Sequence, residues 1–252
     1  MNTNFCQDQF ENAYPDGIEH HWWQLARNSV IAHAVKTLAV PDSVVLDIGC
    51  GRGITVKYLR DKGINCSGVE IARTSPVPGA GEFIRVGADV MDLSPADRQR
   101  YDTLLLLDVI EHVPDPISFL QNLADAFPNI AHVIFTVPAR QELWSNYDEF
   151  YCHFRRYSLK MVEDLAGRLG WKIRWRGYFF RLVYPAAYVL AKLGIKRETK
   201  LTGPGGIRKL GHKLISYIMI LDRHILPSQL RGTSILACFC PHKNVTETSP
   251  SI

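Results

Sequence analysis

An α/β fold is predicted for this 252-residue chain: a doubly wound, mostly parallel seven-stranded sheet with a helical insertion between its sixth and seventh strands. Three observations predict it. Short apolar runs alternate with helix-like stretches over residues 44–138, as strands covered on both faces by crossover helices do. The first run, Val44-Val45-Leu46-Asp47-Ile48, leads into Gly49-Cys50-Gly51-Arg52-Gly53, whose alternate glycines force a tight turn into a helix near Ile54. Roughly fifty residues, far more than an ordinary loop, then separate the sixth strand from the seventh.

In chain order, Glu19 to Val40 reads as a helix, with Trp22, Trp23, Leu25, Ala26, Val30, Ala34 and Leu38 as an apolar stripe, ended by Pro41-Asp42. Two adjacent tryptophans cannot share one helix face, so one is expected to point away from the core. Strand one, Val44–Ile48, is followed by a helix over Ile54–Lys62 and by strand two, Cys66 to Ile71. Phe83–Val86 is the third strand. Tyr101–Asp108, apolar almost throughout, is the central fourth. A helix over Ser118–Ala126 and a fifth strand over Ala131–Pro138 complete the alternating half. Trp144 to Ser158 packs aromatics, a histidine and two arginines into a loop without periodicity, and such a loop usually has a ligand to order it. Leu159–Leu169 is a helix. Strand six, Trp171–Trp175, ends near Gly177. Tyr178–Leu193 and Leu210–Leu226 are apolar-rich helices around the breaker Gly203-Pro204-Gly205-Gly206, and Ser234–Phe239 is strand seven. Residues 244–252 read as a frayed tail.

Length and 46% hydrophobic content suit one large core. The expected division is N-terminal cap helices at 1–41, a core formed by 42–177 and 232–243, and an inserted helical subdomain at 178–231. Six cysteines, Cys6, Cys50, Cys66, Cys152, Cys238 and Cys240, contain no C-x-x-C pair and are expected as reduced thiols. Met1 to Asp16 is polar and lacks a basic start followed by an apolar run, so no secretory leader and a cytoplasmic location are expected. Residues 1–150 carry 11 basic and 20 acidic side chains, residues 151–252 carry 18 and 5. The basic half should meet something anionic. No RNA-binding or helix-turn-helix pattern accompanies it, so nucleic acid is not expected.

A glycine turn behind a buried strand offers unpaired helix N–H groups to an anionic ligand. A dinucleotide pattern would need glycine at position 54, where Ile54 stands. An acidic residue about 20 positions beyond the turn, at the end of the next strand, is placed to accept ribose hydroxyls. Glu70, with Ile71 beside it, holds that place. Asp108 ends the central strand, where ligands gather in such sheets.

The order Asp47-x-Gly49-x-Gly51-x-Gly53 resembles the first motif of class I S-adenosylmethionine-dependent methyltransferases, a Rossmann-like family, and the resemblance extends over most of residues 19–240. It implies S-adenosylmethionine as cofactor, with Asp47, Gly49, Cys50 and Gly51 around its methionine end. It also implies Asp89, with Asp92 as fallback, at the adenine amino group and the Val90 backbone at a ring nitrogen. Trp22-Trp23-Gln24-Leu25-Ala26-Arg27 looks like the cap helix of a branch in which the arginine meets the methionine carboxylate. Val109-Ile110-Glu111-His112-Val113 matches a Glu-His-Val signature seen in methyltransferases that resemble the quinone-biosynthesis group. Asp148, His153 and Arg155-Arg156-Tyr157 resemble an acceptor-side pattern of the same branch. Strands six and seven then form the family's reversed hairpin.

Methyl transfer needs in-line geometry, exclusion of water and, where the acceptor is acidic, one proton acceptor. His112, His153 and Asp148 can take that role. Trp144, Asp148, Arg155, Arg156 and Tyr157 are the candidate acceptor-binding residues, the arginines holding a carboxylate or phosphate. Asp108-x-x-Glu111-His112 also resembles, with Asp for Glu, a divalent-metal cluster of some quinone O-methyltransferases; that departure makes a metal site the minor reading, and no metal ligand is assigned. The function implied is methylation, at oxygen, of a small or lipid-linked acceptor. The alternative is a cofactor-binding module without turnover that docks an anionic surface. Aromatics and a cation in Tyr178-Phe179-Phe180-Arg181-Leu182-Val183-Tyr184, with a similar mix at Tyr217–His224, point to a membrane surface or a lipid-like acceptor. Packing on the sheet or on a second subunit explains the same pattern.

Overall fold

Seven strands form one sheet in the order β3-β2-β1-β4-β5-β7-β6 in the computed structural model, which describes Gln9 and residues 12–200, 202–227 and 229–241. Cys6 and the tail at 244–252 lie outside those residues. The strands are β1 (Val45–Ile48), β2 (Cys66–Glu70), β3 (Ile84–Val86), β4 (Thr103–Leu107), β5 (His132–Pro138), β6 (Lys172–Phe179) and β7 (Ser234–Cys240). The pairs from β3 across to β5 are parallel, and β7 runs antiparallel to both its neighbours. The order reverses at β1, whose partners are β2 and β4. A doubly wound sheet binds ligands in the crevice at that switch point, at the carboxyl ends of the strands.

The helices are α1 (Trp22–Leu38), α2 (Ile54–Asp61), α3 (Pro95–Arg98), α4 (Pro116–Ala126), α5 (Asn146–Phe150), α6 (Leu159–Leu169), α7 (Tyr184–Lys192) and α8 (Arg208–Ile225). Alternate residues of each central strand supply two cores. Leu104 and Leu106 of β4 join Phe135, Phe239 and the buried faces of α4 and α6. Leu105 and Leu107 join Ile134, Leu236 and the buried faces of α1 and α2. That alternation follows from the period of two along a strand, and burial of both sets explains why β4 reads as continuously apolar.

Four expectations change. Strand β6 continues past Gly177, because Tyr178 and Phe179 pair with Ile235 and Ser234 of β7. It stops at Phe180, held at φ 56°, and the helix expected from Tyr178 begins only at Tyr184. Consequently Phe179, Phe180 and Arg181 are buried, and the Arg181 N–H donates to the Asp222 carboxylate at 2.9 Å. The 178–184 segment therefore has no membrane-facing aromatic cluster. Trp22 and Trp23 both pack on Phe180, with ring centroids at 5.9 and 6.5 Å, so neither points into solvent alone. Part of the aromatic loop is helical: Ser145 and Asp148 form a reciprocal capping box that starts α5.

The segment between α7 and α8 meets the N-terminal segment at Asp16 and Gly17 and the α5 turn at Asn146 and Tyr151. A Cβ on Gly203 would fall 2.2 Å from the Asp16 carbonyl oxygen, so only glycine lets that backbone cross the N-terminal segment. The five cysteines among the described residues form no disulfide. Cys238 of the Cys238-x-Cys240 pair is buried in β7, and burial pushes its thiol up to about 12.

Candidate active site

At the switch point the carboxyl ends of β1, β2, β4 and β5 open into a cavity of about 800 Å³, within the range of small-molecule and cofactor sites. Its floor is the glycine turn. Gly49, Gly51 and Gly53 all have positive φ, and a Cβ on Gly51 would fall 2.7 Å from the ring of Tyr14. The ring thus lies directly over the turn.

Two carboxylates flank that floor. Glu70 ends β2; its Oε2 accepts from the Gly51 N–H and its Oε1 from the Ala72 N–H, each at 2.8 Å. Burial raises its pKa while bonds from Ala72, Gly51 and Ile71 pull it back. The carboxylate keeps accepting capacity for a ligand hydroxyl. Asp47, in β1, is buried, and its Oδ1 has no hydrogen-bond partner among the described residues. Burial lifts its carboxyl to about 7, with Arg27 opposing and Glu70 adding. An orphaned buried acceptor beside a glycine cradle suits a ligand that brings an ammonium group.

Arg27 of α1 is buried and its Nη2 lies 2.6 Å from Asp108 Oδ2. It is thus not a solvated surface arginine, and its guanidinium is already shared with an acidic partner. Asp108 ends β4 at φ 58°, a left-handed conformation that a non-glycine residue seldom adopts outside functional sites. Its N–H donates to the Thr136 carbonyl at 3.0 Å, and its Oδ1 accepts from Thr136 Oγ1 at 3.2 Å. Asp89 and Val90 line the far end, and Cys50 and Ile71 also line the wall. The Asp89 carboxylate caps the turn Val90–Asp92, and Asp92 closes the capping box without lining the cavity.

On the opposite side His112 and His153 meet edge to face, with ring centroids 4.7 Å apart. Burial and the neighbouring His153 push His112 down to about 4. Asp148 lies behind this pair rather than in the cavity wall. Its Oδ1 lies 2.9 Å from His153 Nδ1 and accepts from Arg156 Nε at 2.7 Å, while its Oδ2 accepts from Arg156 Nη2 at 3.0 Å. Burial alone would raise this carboxyl, but the bonds from His153 and Arg156 hold it down to about 2. An ionised carboxylate only accepts, so His153 Nδ1 carries a proton toward it, and in the neutral imidazole Nε2 is the acceptor.

Four expected acceptor residues do not line the cavity: Asp148, behind the histidine pair, and Trp144, Arg155 and Tyr157. Trp144 sits between Leu143 and Ser145, which turn inward and leave it outside. Arg155 reaches the other way, donating from Nη2 to the Pro114 carbonyl at 2.7 Å. Tyr157 is buried in the core, its hydroxyl donating to the Ile110 carbonyl at 3.3 Å. Arg156 does line it, pinned by Asp148. Tyr14, Tyr147, Tyr151 and Arg197 line it too and were not singled out from sequence. Tyr147 and Tyr151 stand four apart on the one helical turn hidden in the aromatic loop. Arg197 lies over the Tyr147 ring at 4.6 Å, and its backbone N–H and carbonyl both bond the Asn146 side chain at 2.9 Å, which fixes the inserted segment across the site.

Glu111 is wholly buried, and neither carboxylate oxygen has a side-chain hydrogen-bond partner among the described residues. Its ligand atom and those of His112 and His153 lie within 4.8 Å of one another, a grouping able to hold a metal ion among the described residues.

Comparison with known proteins agrees with this geometry. Residues 23–174 match the methyltransferase domain family. The ubiquinone biosynthesis O-methyltransferase of Serratia proteamaculans (strain 568) is 26% identical over 155 residues, covering 54% of this chain and 64% of that enzyme. Its counterpart in Vibrio vulnificus (strain YJ016) is 25% identical over 138 residues, 48% and 59% of the two chains. This chain therefore spans less than two thirds of the length of these relatives. The plantazolicin methyltransferase BpumL, solved with SAH, shares the fold at a TM-score of 0.50 and 13% identity, covering 92% of this chain and 87% of that one. With more than half its length inside the family match, the chain belongs to the methyltransferase domain family and carries the fold of the class I S-adenosylmethionine-dependent methyltransferases.

Proposed function

We propose that the protein transfers a methyl group from S-adenosylmethionine to a hydroxyl of an apolar small or lipid-linked acceptor. The observation that carries this reading is one continuous cavity. It joins the carboxylates at the strand ends to an apolar extension lined by Phe180, Val183, Ala187, Leu190 and Ile195, with His112 and His153 also in its wall. Similarity to O-methyltransferases of ubiquinone biosynthesis supports oxygen as the methylated atom. The alternative of a docking module without turnover has no comparable support.

S-Adenosylmethionine would be held by Asp47, Glu70, Asp89 and the Gly49–Gly51 backbone, and it supplies a methyl already activated on a sulfonium. The chain then has three tasks. Tyr14 over the glycine turn, and Trp22 and Trp23 packed on Phe180, wall the cavity and keep water out. The apolar extension orients the acceptor. His153, held in one tautomer by Asp148, offers Nε2 to the acceptor hydroxyl proton. His112, pushed down to about 4, is the weaker proton acceptor of the pair.

The buried Glu111 favours a second reading, in which Glu111, His112 and His153 would hold a divalent ion, which would supply Lewis-acid activation of the acceptor. One assay separates the readings. Methyl-labelled S-adenosylmethionine, incubated with the protein and fractionated metabolite and lipid extracts, should label an organic-soluble product from which hydriodic acid releases methyl iodide. Label confined to material that resists this ether cleavage contradicts O-methylation. Turnover that survives a chelator favours the histidine base, and turnover lost to the chelator and restored by a divalent ion favours the metal.

A further inference from the structure

Helix α8 is amphipathic in the inverted sense. Three of its polar residues face the protein: His212 Nδ1 accepts from the Trp22 N–H at 3.2 Å, Asp222 accepts from the Arg181 N–H, and Ser216 is buried. Met219 and Ile220 pack on the core, but most of its apolar residues face outward. Ile207, just before the first turn, is 88% exposed, Leu210 69%, Leu214 63% and Ile225 71%, with Tyr217, Ile218 and Leu221 close to half exposed. At 3.6 residues per turn these seven positions fall within an arc of about 100°, the width of a buried helix stripe turned to solvent. So long an exposed apolar stripe is uncommon on a monomer surface unless something covers it.

The charge pattern indicates what covers it. Arg208 flanks the stripe on one side and Lys209 and Lys213 on the other, all exposed. Between residues 182 and 227 the chain carries eight lysines and arginines against two carboxylates, and one of these, Asp222, is buried against Arg181. A second copy of the chain would bring the same positive charge to the contact. A leaflet containing anionic lipid brings the opposite charge and a depth of acyl chain for the leucines. No helix among the described residues is long and apolar enough to cross a membrane.

We propose that α8 lies in the headgroup boundary of an anionic membrane, its Ile207–Ile225 stripe inserted and Arg208, Lys209 and Lys213 at the phosphate level. The residues differ from those the sequence suggested, since Phe179 and Arg181 are buried. The inner face of the same helix holds the N-terminus of α1, which carries Arg27 into the cavity, so docking would also steady the cofactor side of the site. The docking surface itself does not depend on the acceptor.

The test is flotation of the full chain with vesicles of phosphatidylcholine alone or mixed in equal parts with phosphatidylglycerol. The protein should float with the mixed vesicles at low ionic strength and much less with the neutral ones. Leu214→Glu plus Leu221→Glu should abolish flotation. Lys209→Glu plus Lys213→Glu should weaken partitioning by at least about tenfold. Both double variants should keep the wild-type melting temperature, because the altered side chains are exposed. Calorimetric binding of S-adenosylhomocysteine, measured on the same samples, reports separately on the cofactor reading. Absence of flotation at low salt, or flotation undiminished in the leucine variant, overturns the proposal. So does a wild-type dimer in light scattering that the leucine variant dissociates, because the stripe then belongs to a second copy.

Discussion

Replacing His153 by Asn is expected to lower kcat by about 10² to 10⁴, the span typical of a lost general base, and to leave S-adenosylhomocysteine affinity within about twofold of wild type. Asparagine can still donate a hydrogen bond to Asp148 Oδ1 from near the position of Nδ1, so the bond seen at 2.9 Å survives in kind. What is lost is the Nε2 lone pair. A purely structural role for His153 would make His153→Asn mild and His153→Ala severe; a base makes both severe. The paired measurement on His112→Ala distinguishes the neighbours. His112 is pushed down to about 4, so it holds a proton too loosely to serve as the better acceptor near neutral pH. If His112→Ala removes turnover while His153→Asn spares it, the assignment is reversed.

Asp148→Ala should be among the most damaging single substitutions to stability, costing about 3–5 kcal/mol in chemical denaturation, because it strands the buried Arg156 guanidinium. Arg156 Nη1 would retain its bond to the Ala139 carbonyl at 3.2 Å, but Nε and Nη2 would lose theirs. The same carboxylate sets a pH dependence. Its folded-state pKa, about 2, lies below the ordinary 3.8, so its contribution is complete above about pH 4 and is lost as the pH falls toward 2. Stability of the wild type should decline over that window, and Asp148→Asn should decline less steeply. A wild-type profile that matches Asp148→Asn there would mean that the carboxylate is not held ionised.

The cofactor half was readable because its signals are local. Val44–Ile48 followed by three alternate glycines admits few backbones, and Glu70 falls where the crossover must bring it. The acceptor half depends on contacts between distant residues. Arg181 meets Asp222 across 41 positions, and that pair buries a segment whose aromatics otherwise read as a surface. Tyr178 and Phe179 suit a strand or a helix, and only pairing with Ile235 and Ser234 decides. A local signal was also overlooked: Ser145 three residues before Asp148 is a helix start, and it turns Tyr147 and Tyr151 toward the cavity. For α8 the helical period was plain from sequence. Periodicity gives the width of an apolar stripe and not the direction it faces, so the outward face of Leu210, Leu214 and Leu221 required the structure.

The central claim is that Glu70 and Asp47 build an S-adenosylmethionine site on the glycine turn, and calorimetric titration tests it most directly. S-Adenosylhomocysteine should bind wild-type protein saturably with one site per chain. Glu70→Ala, which leaves two ribose hydroxyls without a charged acceptor, should bind at least about tenfold more weakly, a loss of roughly 1.5–3 kcal/mol. NADH should not bind. Binding of NADH without S-adenosylhomocysteine, or a Glu70→Ala variant that binds S-adenosylhomocysteine as tightly as wild type, would contradict the account.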